Sequence, residues 1–293
     1  MVIHPGVLAS AYASIRWLRH DLNCSLPLEV WFKPDEMART HPVLVALPYA
    51  LFYSAFDNVL LVDCDNFAVR NPEFLFDEPA FLATGALFWP PDNSCFGIDG
   101  YSMLWNLTGL DFVDMFEQES GQVAVNKRAS DKALHVLMFY AFRTPSDLYR
   151  LAWLKAGAPF HMIERPPGSL RRRNHQTGGA FGGKSKVQYA PDGTVLFLHR
   201  NSDKLTGCVG DSLSWGVLQE FRYLYRPATL LGLLSDRDAN CFGHSDNLVD
   251  TYTETDVRCP QDNPLNPLDD MFAKPLIGLL RRQRNTTGDP IST

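Results

Sequence analysis

The sequence predicts an α/β fold in which an open mixed sheet is flanked by helices. Helical and extended patterns alternate between residues 5 and 200, which is typical of layered helices on a sheet. The run from Asn58 to Asp63 is apolar without alternation, as expected for a central parallel strand buried on both faces. The chain has 293 residues, 45% of them hydrophobic, which is enough for one large domain or two small ones.

The first third of the chain predicts two helices and three strands. Residues 5–22 form a helical pattern, with Pro5 in its first turn and apolar residues on one face. A short strand is predicted at Pro27–Phe32, and a mostly apolar helix at 42–56, with Pro48 near a start or a kink. The segments 58–63 and 81–89 have the composition of strands.

The middle of the chain continues the alternation. A strand is predicted at 121–126, followed by a helix at 130–143 with Ser130 as its N-cap. A further helix over 146–157 ends at Gly157. Strands are predicted at the segments 159–163, 187–190 and 194–199, the last two joined by a Pro-Asp-Gly turn.

The last part of the chain differs in composition. After about residue 230 it is polar, rich in Asp, Asn and Pro, and poor in periodicity. The sequence therefore predicts one domain over residues 1–228 and an irregular C-terminal extension over 229–293.

Charge and hydropathy exclude several classes of protein. The formal net charge of −6 argues against a general nucleic-acid binder, which is normally basic. No apolar run approaches the roughly 18 residues that span a bilayer, and the N-terminus lacks the pattern of a signal peptide. From these observations we expect no nucleic-acid partner and no membrane segment in this chain. The six cysteines show no zinc-binding spacing.

Two carboxylates come directly after the most apolar strand. Asp63 and Asp65 lie two positions apart, so in an extended segment both can reach one point. Because close carboxylates repel one another, a divalent cation with oxygen ligands, Mg²⁺ or Mn²⁺, would explain the pair.

Two other interpretations of this pair remain. The simpler one is a strand end followed by an Asx-turn. The other is a phosphatase of the haloacid-dehalogenase type, in which the first Asp is a nucleophile. That family normally has Thr or Val where this chain has Phe67, and its motif usually opens the domain, whereas about sixty residues precede it here.

The order of several motifs resembles one family. With the segment 60–66, four later stretches resemble the mannosyltransferase family whose best-known members are α-1,3-mannosyltransferases of the secretory pathway: 85–92, 116–127, 150–170 and 191–201. The resemblance extends over residues 6 to 204. It implies a GT-A (Rossmann-like) fold and transfer of a hexose, most often mannose from GDP-mannose, with retention of configuration and with Mn²⁺ or Mg²⁺ on the diphosphate.

The resemblance also assigns metal ligands and catalytic residues. Asp63 and Asp65 match the metal-binding Asp-x-Asp, and His199 matches a late histidine that is a further ligand in related enzymes. Neutral imidazole is a good Mn²⁺ ligand; the simpler alternative is a histidine bonded to backbone. Glu119 and Gln122 of the Glu-Ser-Gly-Gln motif are the candidates for the face of the anomeric carbon, with a turn cluster as the alternative interpretation of the motif.

Three further positions are expected to bind the donor. Gly85 and Ala86 would allow close backbone approach to the sugar, and Lys204 would reach the donor phosphates, with a solvated lysine as its alternative. The expected partners are the nucleotide-sugar donor and a glycan or glycoprotein acceptor. The resemblance implies the Golgi or secretory pathway, and a cytoplasmic location is expected if the N-terminus is complete.

The chain also departs from the family. Its first sheet strand looks absent, the segment between Trp31 and Tyr49 is short, and Leu47 replaces a lysine near the donor phosphates. Loss of that cation would weaken donor binding. A non-catalytic relative that acts as a binding or scaffold protein is therefore the alternative hypothesis. The basic stretch Arg171–Lys186 is interpreted as an exposed disordered loop or, alternatively, a lid over the phosphates.

Overall fold

The computed structural model describes residues 1–32, 46–90, 102–113, 118–143, 148–165, 167–173, 180–200, 217–219 and 265–267. Within these residues, helices pack against two mixed or antiparallel sheets. The predicted α/β class is therefore confirmed.

Six α-helices occur in the described residues: α1 (Leu8–His20), α2 (Ala46–Tyr53), α3 (Pro79–Thr84), α4 (Met103–Thr108), α5 (Asp131–Ala141) and α6 (Tyr149–Ala156). Short 3₁₀ helices cover Pro5–Val7 and Pro72–Phe76. Helices α5 and α6 confirm the two helices predicted there, although the Ser130 side chain makes no capping hydrogen bond. The prediction of a strand at 81–89 holds only for its second half, because α3 occupies the first half.

The first sheet has four strands: β1 (Asn58–Val62), β3 (Ala86–Phe88), β4 (Gln122–Asn126) and β5 (His161–Met162). They lie in the order β1-β4-β3-β5. Strand β4 is antiparallel to both β1 and β3, whereas β5 is parallel to β3. The prediction of a parallel β1 is wrong, because in the described residues β1 pairs only with the antiparallel β4.

Both faces of this sheet are covered, which explains the unbroken apolar run of β1. Val59 and Leu61 point into one core cluster, and Leu60 and Val62 pack against another. Strand β3 repeats the alternation, so that the fully buried Phe88 lies in the first cluster. Burying one such side chain contributes roughly 1.5–3 kcal/mol, and β1, β3 and β4 therefore form a rigid base for the segments that extend beyond their ends.

The other edge of β1 borders an apolar cavity of about 410 Å³, which is also lined by helix α1 and by the segment before Trp31. That segment, Pro27–Phe32, is predicted from the sequence to be a strand. The structure gives it a single parallel bridge between Trp31 and Val2, so the strand prediction is wrong in extent.

The second sheet is antiparallel. Its strands are β2 (Asn66–Ala68), β6 (Gly168–Arg173), β7 (Ala180–Tyr189), β8 (Val195–His199), β9 (Val217–Gln219) and β10 (Leu265–Pro267). They lie in the order β10-β9-β6-β7-β8-β2. In residues 171–173 and 180–186 the basic stretch belongs to paired strands, which corrects its interpretation as a disordered loop. The alternative, a lid over the phosphates, stays a prediction. Strand β10 lies inside the predicted irregular extension.

Helix α6 ends as predicted at Gly157, whose φ of 62° lies in the left-handed region that favours glycine. Helices α2, α5 and α6 contribute to the core cluster on one face of the first sheet, and the second sheet contributes to the cluster on the other face. None of the helices in the described ranges combines the length and the apolarity needed to cross a bilayer.

Candidate metal centre

The two aspartates lie where the chain passes from one sheet to the other. Strand β1 ends at Val62 in the first sheet, and β2 begins at Asn66 in the second. Asp63, Cys64 and Asp65 make this crossing. Strand ends of both sheets therefore meet beside the carboxylates, and the crossing has little freedom because the flanking strands fix it at each side.

Backbone hydrogen bonds fix the crossing segment itself. The Asp63 N–H donates to the carbonyl of Gly121 at 2.9 Å, and the Arg200 N–H donates to the carbonyl of Asp65, also at 2.9 Å. A turn is closed by the Asn66 N–H, which donates to the Asp63 carbonyl at 3.0 Å. The backbone around the two carboxylates is thus attached to both β4 and the end of β8.

His199 completes the cluster. It is the last residue of β8 and pairs in register with Asn66 at the start of β2. Its Nε2 atom lies 3.4 Å from the Asp65 carboxylate, and one ligand atom from each of Asp63, Asp65 and His199 lies within 4.8 Å of the others. The structure therefore brings together the three residues predicted as metal ligands.

This donor set suits a divalent cation. Octahedral coordination at about 2.1 Å places adjacent ligands about 3 Å apart and opposite ligands about 4.2 Å apart, so small side-chain movements bring these three donors onto one ion. Carboxylates and imidazole are both common ligands of divalent metal ions. Asp65 and His199 are buried, whereas Asp63 is half-buried and opens the cluster towards solvent.

The surroundings of His199 favour positive charge. Burial lowers the pKa of the imidazole, and so does the charge of Lys186, but the hydrogen bond with Asp65 and the charges of Glu119 and Asp65 outweigh them and raise it above its ordinary value. Asp65 and Glu119 thus outweigh Lys186 in their effect on the ring.

Glu119 is held by a buried lysine. The Lys186 ammonium on β7 donates to its Oε2 atom, and the Gly121 N–H donates to Oε1 at 3.1 Å. Burial raises the pKa of Glu119, but the charge and hydrogen bond of Lys186, with the nearby His199, lower it to about 2. Glu119 is thus ionised with both oxygens engaged, whereas the sequence suggested a group facing the sugar.

Gln122 is equally enclosed. It is the first residue of β4, and its side chain is fully buried. Its Oε1 atom accepts a hydrogen bond of 2.5 Å from Asn66 Nδ2, which also donates to the Gly121 carbonyl at 3.0 Å. The amide of Asn66 thereby joins β2 to β4, and Gln122 is a buried part of this link.

The backbone of Gly121 lies against the imidazole ring of His199. A Cβ atom added there would lie 2.6 Å from Cε1 and 2.7 Å from Nδ1 of His199. Ordinary van der Waals contacts begin at 3.4 Å, so only glycine allows the ring to occupy this position. The glycine of the Glu-Ser-Gly-Gln motif therefore has a steric role.

The structure does not bring Gly85 or Ala86 into this cluster. Gly85 ends helix α3 with a φ of 72°, and Ala86 is fully buried opposite Val125, towards the other end of β4 from Gln122. Gly85 therefore caps a helix, and Ala86 packs in the core. Lys204 lies outside the described residues.

Sequence reasoning did not anticipate three participants, namely Lys186, Asn66 and the steric role of Gly121. Lys186 and Gln188 are spaced two apart in a strand, a pattern typical of a solvent-exposed face. Both are buried instead. The one available signal for Asn66 was its place directly after the aspartate pair.

Comparisons with known proteins agree with the resemblance. Residues 46–94, which contain the aspartate pair, match a family model described as "Mannosyltransferase putative". The alpha-1,2-mannosyltransferase MNN22 of Candida albicans is 24% identical over 191 residues, covering 48% of this chain and 32% of the relative. The alpha-1,2-mannosyltransferase MNN2 of Saccharomyces cerevisiae is 42% identical over 41 residues, covering 14% of this chain and 7% of the relative.

The chain spans about a third of the length of MNN22 and less of MNN2. Both relatives carry an alpha-1,2 linkage in their names, whereas the resemblance in the motifs implied α-1,3 members. Transfer of mannose is common to the names of both relatives and to the family that the motifs resemble, whereas the linkage named differs.

Proposed function

We propose, from the similarity of residues 46–94 to the mannosyltransferase family model and of the chain to two mannosyltransferases, that this protein is a retaining glycosyltransferase that moves mannose from GDP-mannose to a glycan acceptor. The observation that carries the proposal is the convergence of Asp63, Asp65 and His199 at the junction of the two sheets. From the same similarity, we propose that the protein acts in the Golgi or secretory pathway.

In this proposal the three side chains hold Mn²⁺ or Mg²⁺ against the donor diphosphate. When bound, the cation would act as a Lewis acid that offsets the charge on the departing GDP. Asp63 is the most exposed of the three, so the diphosphate would approach from its side. Two carboxylates and a neutral imidazole leave a formal charge of zero once a divalent cation is added, and the Glu119–Lys186 pair adds no net charge.

The reaction needs no general base from the protein. In front-face retention, the acceptor oxygen forms a bond to the anomeric carbon on the face from which GDP leaves. The diphosphate takes the electron pair of the broken bond and the proton of the acceptor hydroxyl. The protein's task is then to align the two reactants and to stabilise the leaving group, for which the metal centre is suited.

A direct test is transfer itself. The protein, GDP-mannose labelled in the sugar and Mn²⁺ are incubated with a panel of mannosides, and labelled disaccharide is measured. Asp63→Asn and Asp65→Asn should each abolish transfer. Asp57→Asn is the matched control, because Asp57 is an exposed partner of Arg128 and the substitution changes charge by the same amount.

One observation favours a second candidate, a non-catalytic relative that binds without transferring. Leu47, where the family has a lysine near the donor phosphates, is buried in the core with Ala50 and Leu51. A leucine in this position offers no charge to a diphosphate. Metal-dependent donor binding without any labelled product from the whole panel would favour this candidate. Release of free inorganic phosphate from phosphomonoesters would instead favour the phosphatase interpretation.

A further inference from the structure

A buried ion pair lies directly behind the candidate metal centre. Lys186 on β7 and Glu119 just before β4 are 8% and 6% exposed, and the lysine ammonium donates to Glu119 Oε2. Lys186 is also in register with His199 on the neighbouring strand β8. Two buried charges thus lie next to His199, the third predicted metal ligand.

Such a pair needs an explanation other than stability. Removing two charges from water costs free energy that their attraction often fails to recover, and apolar residues of similar volume frequently serve the fold as well or better. The pair is therefore a poor device for stabilising the second sheet, which already has a continuous apolar cluster around Phe197.

The geometry around His199 suggests what the pair does. Glu119 Oε1 lies 3.8 Å from the Nδ1 atom of the imidazole, while the Nε2 atom on the opposite side of the ring lies 3.4 Å from Asp65. Nδ1 is buried and has no hydrogen-bond partner within 3.5 Å among the described residues. The ring is thus set between two carboxylates, with the backbone of Gly121 against its edge.

Metal-bound histidines typically direct their second ring nitrogen at a carboxylate, which fixes the tautomer and the orientation of the ring. We propose that Glu119 and Lys186 are positioning residues for the metal centre: Glu119 orients His199 through Nδ1 so that Nε2 faces Asp63 and Asp65, and Lys186 holds Glu119 in place. This inference rests on the proposed function, and it replaces the expectation that Glu119 acts on the sugar.

The role of Lys186 follows from the position of Glu119. Glu119 Oε1 lies 3.8 Å from Nδ1 of His199, on the side of the ring away from Asp65. With Oε2 bound to the ammonium and Oε1 accepting the Gly121 N–H, both oxygens are occupied. The lysine therefore keeps Glu119 behind the imidazole, where it acts on the metal only through His199.

The test measures Mn²⁺ affinity by electron paramagnetic resonance, with a thermal melt of each variant. Glu119→Gln and Lys186→Met should each weaken Mn²⁺ binding about 10- to 100-fold, the range typical for partners of metal ligands. Arg70→Met is the control, because it breaks a half-exposed ion pair with Asp192 in the same part of the protein, and it should leave Mn²⁺ affinity unchanged.

A double variant separates positioning from folding. Glu119→Met with Lys186→Met replaces the pair by apolar side chains and should recover any thermal stability that a single variant loses. If the pair positions His199, Mn²⁺ affinity stays about 10- to 100-fold weaker in the double variant. Recovery of both stability and wild-type affinity would contradict the proposal and leave the pair a purely structural role.

Failure of the proposed function has a different signature. A wild-type protein that binds no Mn²⁺, or binds it equally well after Asp65→Asn, would overturn the metal centre and this inference with it. Wild-type binding that needs Asp65 but is unchanged in Glu119→Gln and Lys186→Met would overturn the positioning role alone.

Discussion

Substituting alanine for Gly121 should disable the metal centre by moving one ligand. The added Cβ would lie 2.6 Å from His199 Cε1 and must gain about 0.8 Å to reach the 3.4 Å of an ordinary contact. The backbone of Gly121 cannot easily yield, because its N–H is bound by Glu119 and its carbonyl accepts from Asp63 and Asn66. The imidazole must therefore move.

The size of the effect can be worked out from this displacement. Functional constellations must be held within about 0.5 Å, so a shift of this size should weaken Mn²⁺ binding about 10- to 100-fold, as the loss of ligand orientation does elsewhere. The extra methyl group should also lower the free energy of unfolding by about 1–3 kcal/mol through overpacking. Calorimetric titration with Mn²⁺ and chemical denaturation measure the two effects.

Gly157→Ala is the control for the loss of stability. A Cβ at this position has nothing within 4 Å, but the φ of 62° is unfavourable for alanine, which should cost about 1–2 kcal/mol. The metal affinity of this variant should equal that of the wild type. A Gly121→Ala protein that binds Mn²⁺ as tightly as the wild type would refute the reasoning, since it would mean that the imidazole is not needed where the structure places it.

Three other predictions concern titration and packing. The pKa of Glu119 falls from 4.5 to about 2, so the folded state favours ionised over protonated Glu119 by on the order of 3 kcal/mol. This preference stabilises the protein fully above pH 4.5 and is lost as the pH falls towards 2. Denaturation across this range should show that loss in the wild type and a smaller one in Glu119→Gln. The pKa of His199 is raised above 6.5. Because only neutral imidazole binds metal, Mn²⁺ affinity should decline as the pH falls through that pKa. A Mn²⁺ affinity that does not change with pH would exclude His199 as a ligand. Trp89 is fully buried, and its indole N–H donates to the Tyr189 carbonyl at 2.7 Å. Trp89→Phe should therefore destabilise the protein by about 1–3 kcal/mol, and an unchanged melting temperature would contradict this.

Local sequence patterns predicted the α/β class and many of the individual helices and strands. The apolar run of β1, the glycine after α6 and the turn before β8 each depend on a few neighbouring residues, and the structure confirms them. The direction of β1 was wrong because an apolar run reports burial on both faces, and here the second sheet provides the cover that helices provide in parallel sheets.

The candidate site was predictable only where its residues carry a chemical signature. Asp63, Asp65 and His199 are recognisable as ligands, whereas their closeness depends on two sheets meeting at one point. Lys186 had the spacing of an exposed strand residue, and its burial results from the pairing of β7 with β8. Gly121 matters because a ring from a distant strand touches it, and no local pattern reports that contact.

The central claim is that Asp65 binds a metal which in turn binds the donor. Calorimetric titration of GDP-mannose into the wild-type protein, with and without Mn²⁺, and into Asp65→Ala with Mn²⁺, tests it most directly. Saturable binding of GDP-mannose is expected only for the wild type in the presence of Mn²⁺, with none in the other two titrations. Binding of equal strength without the metal or without Asp65, or no binding under any condition, would contradict it.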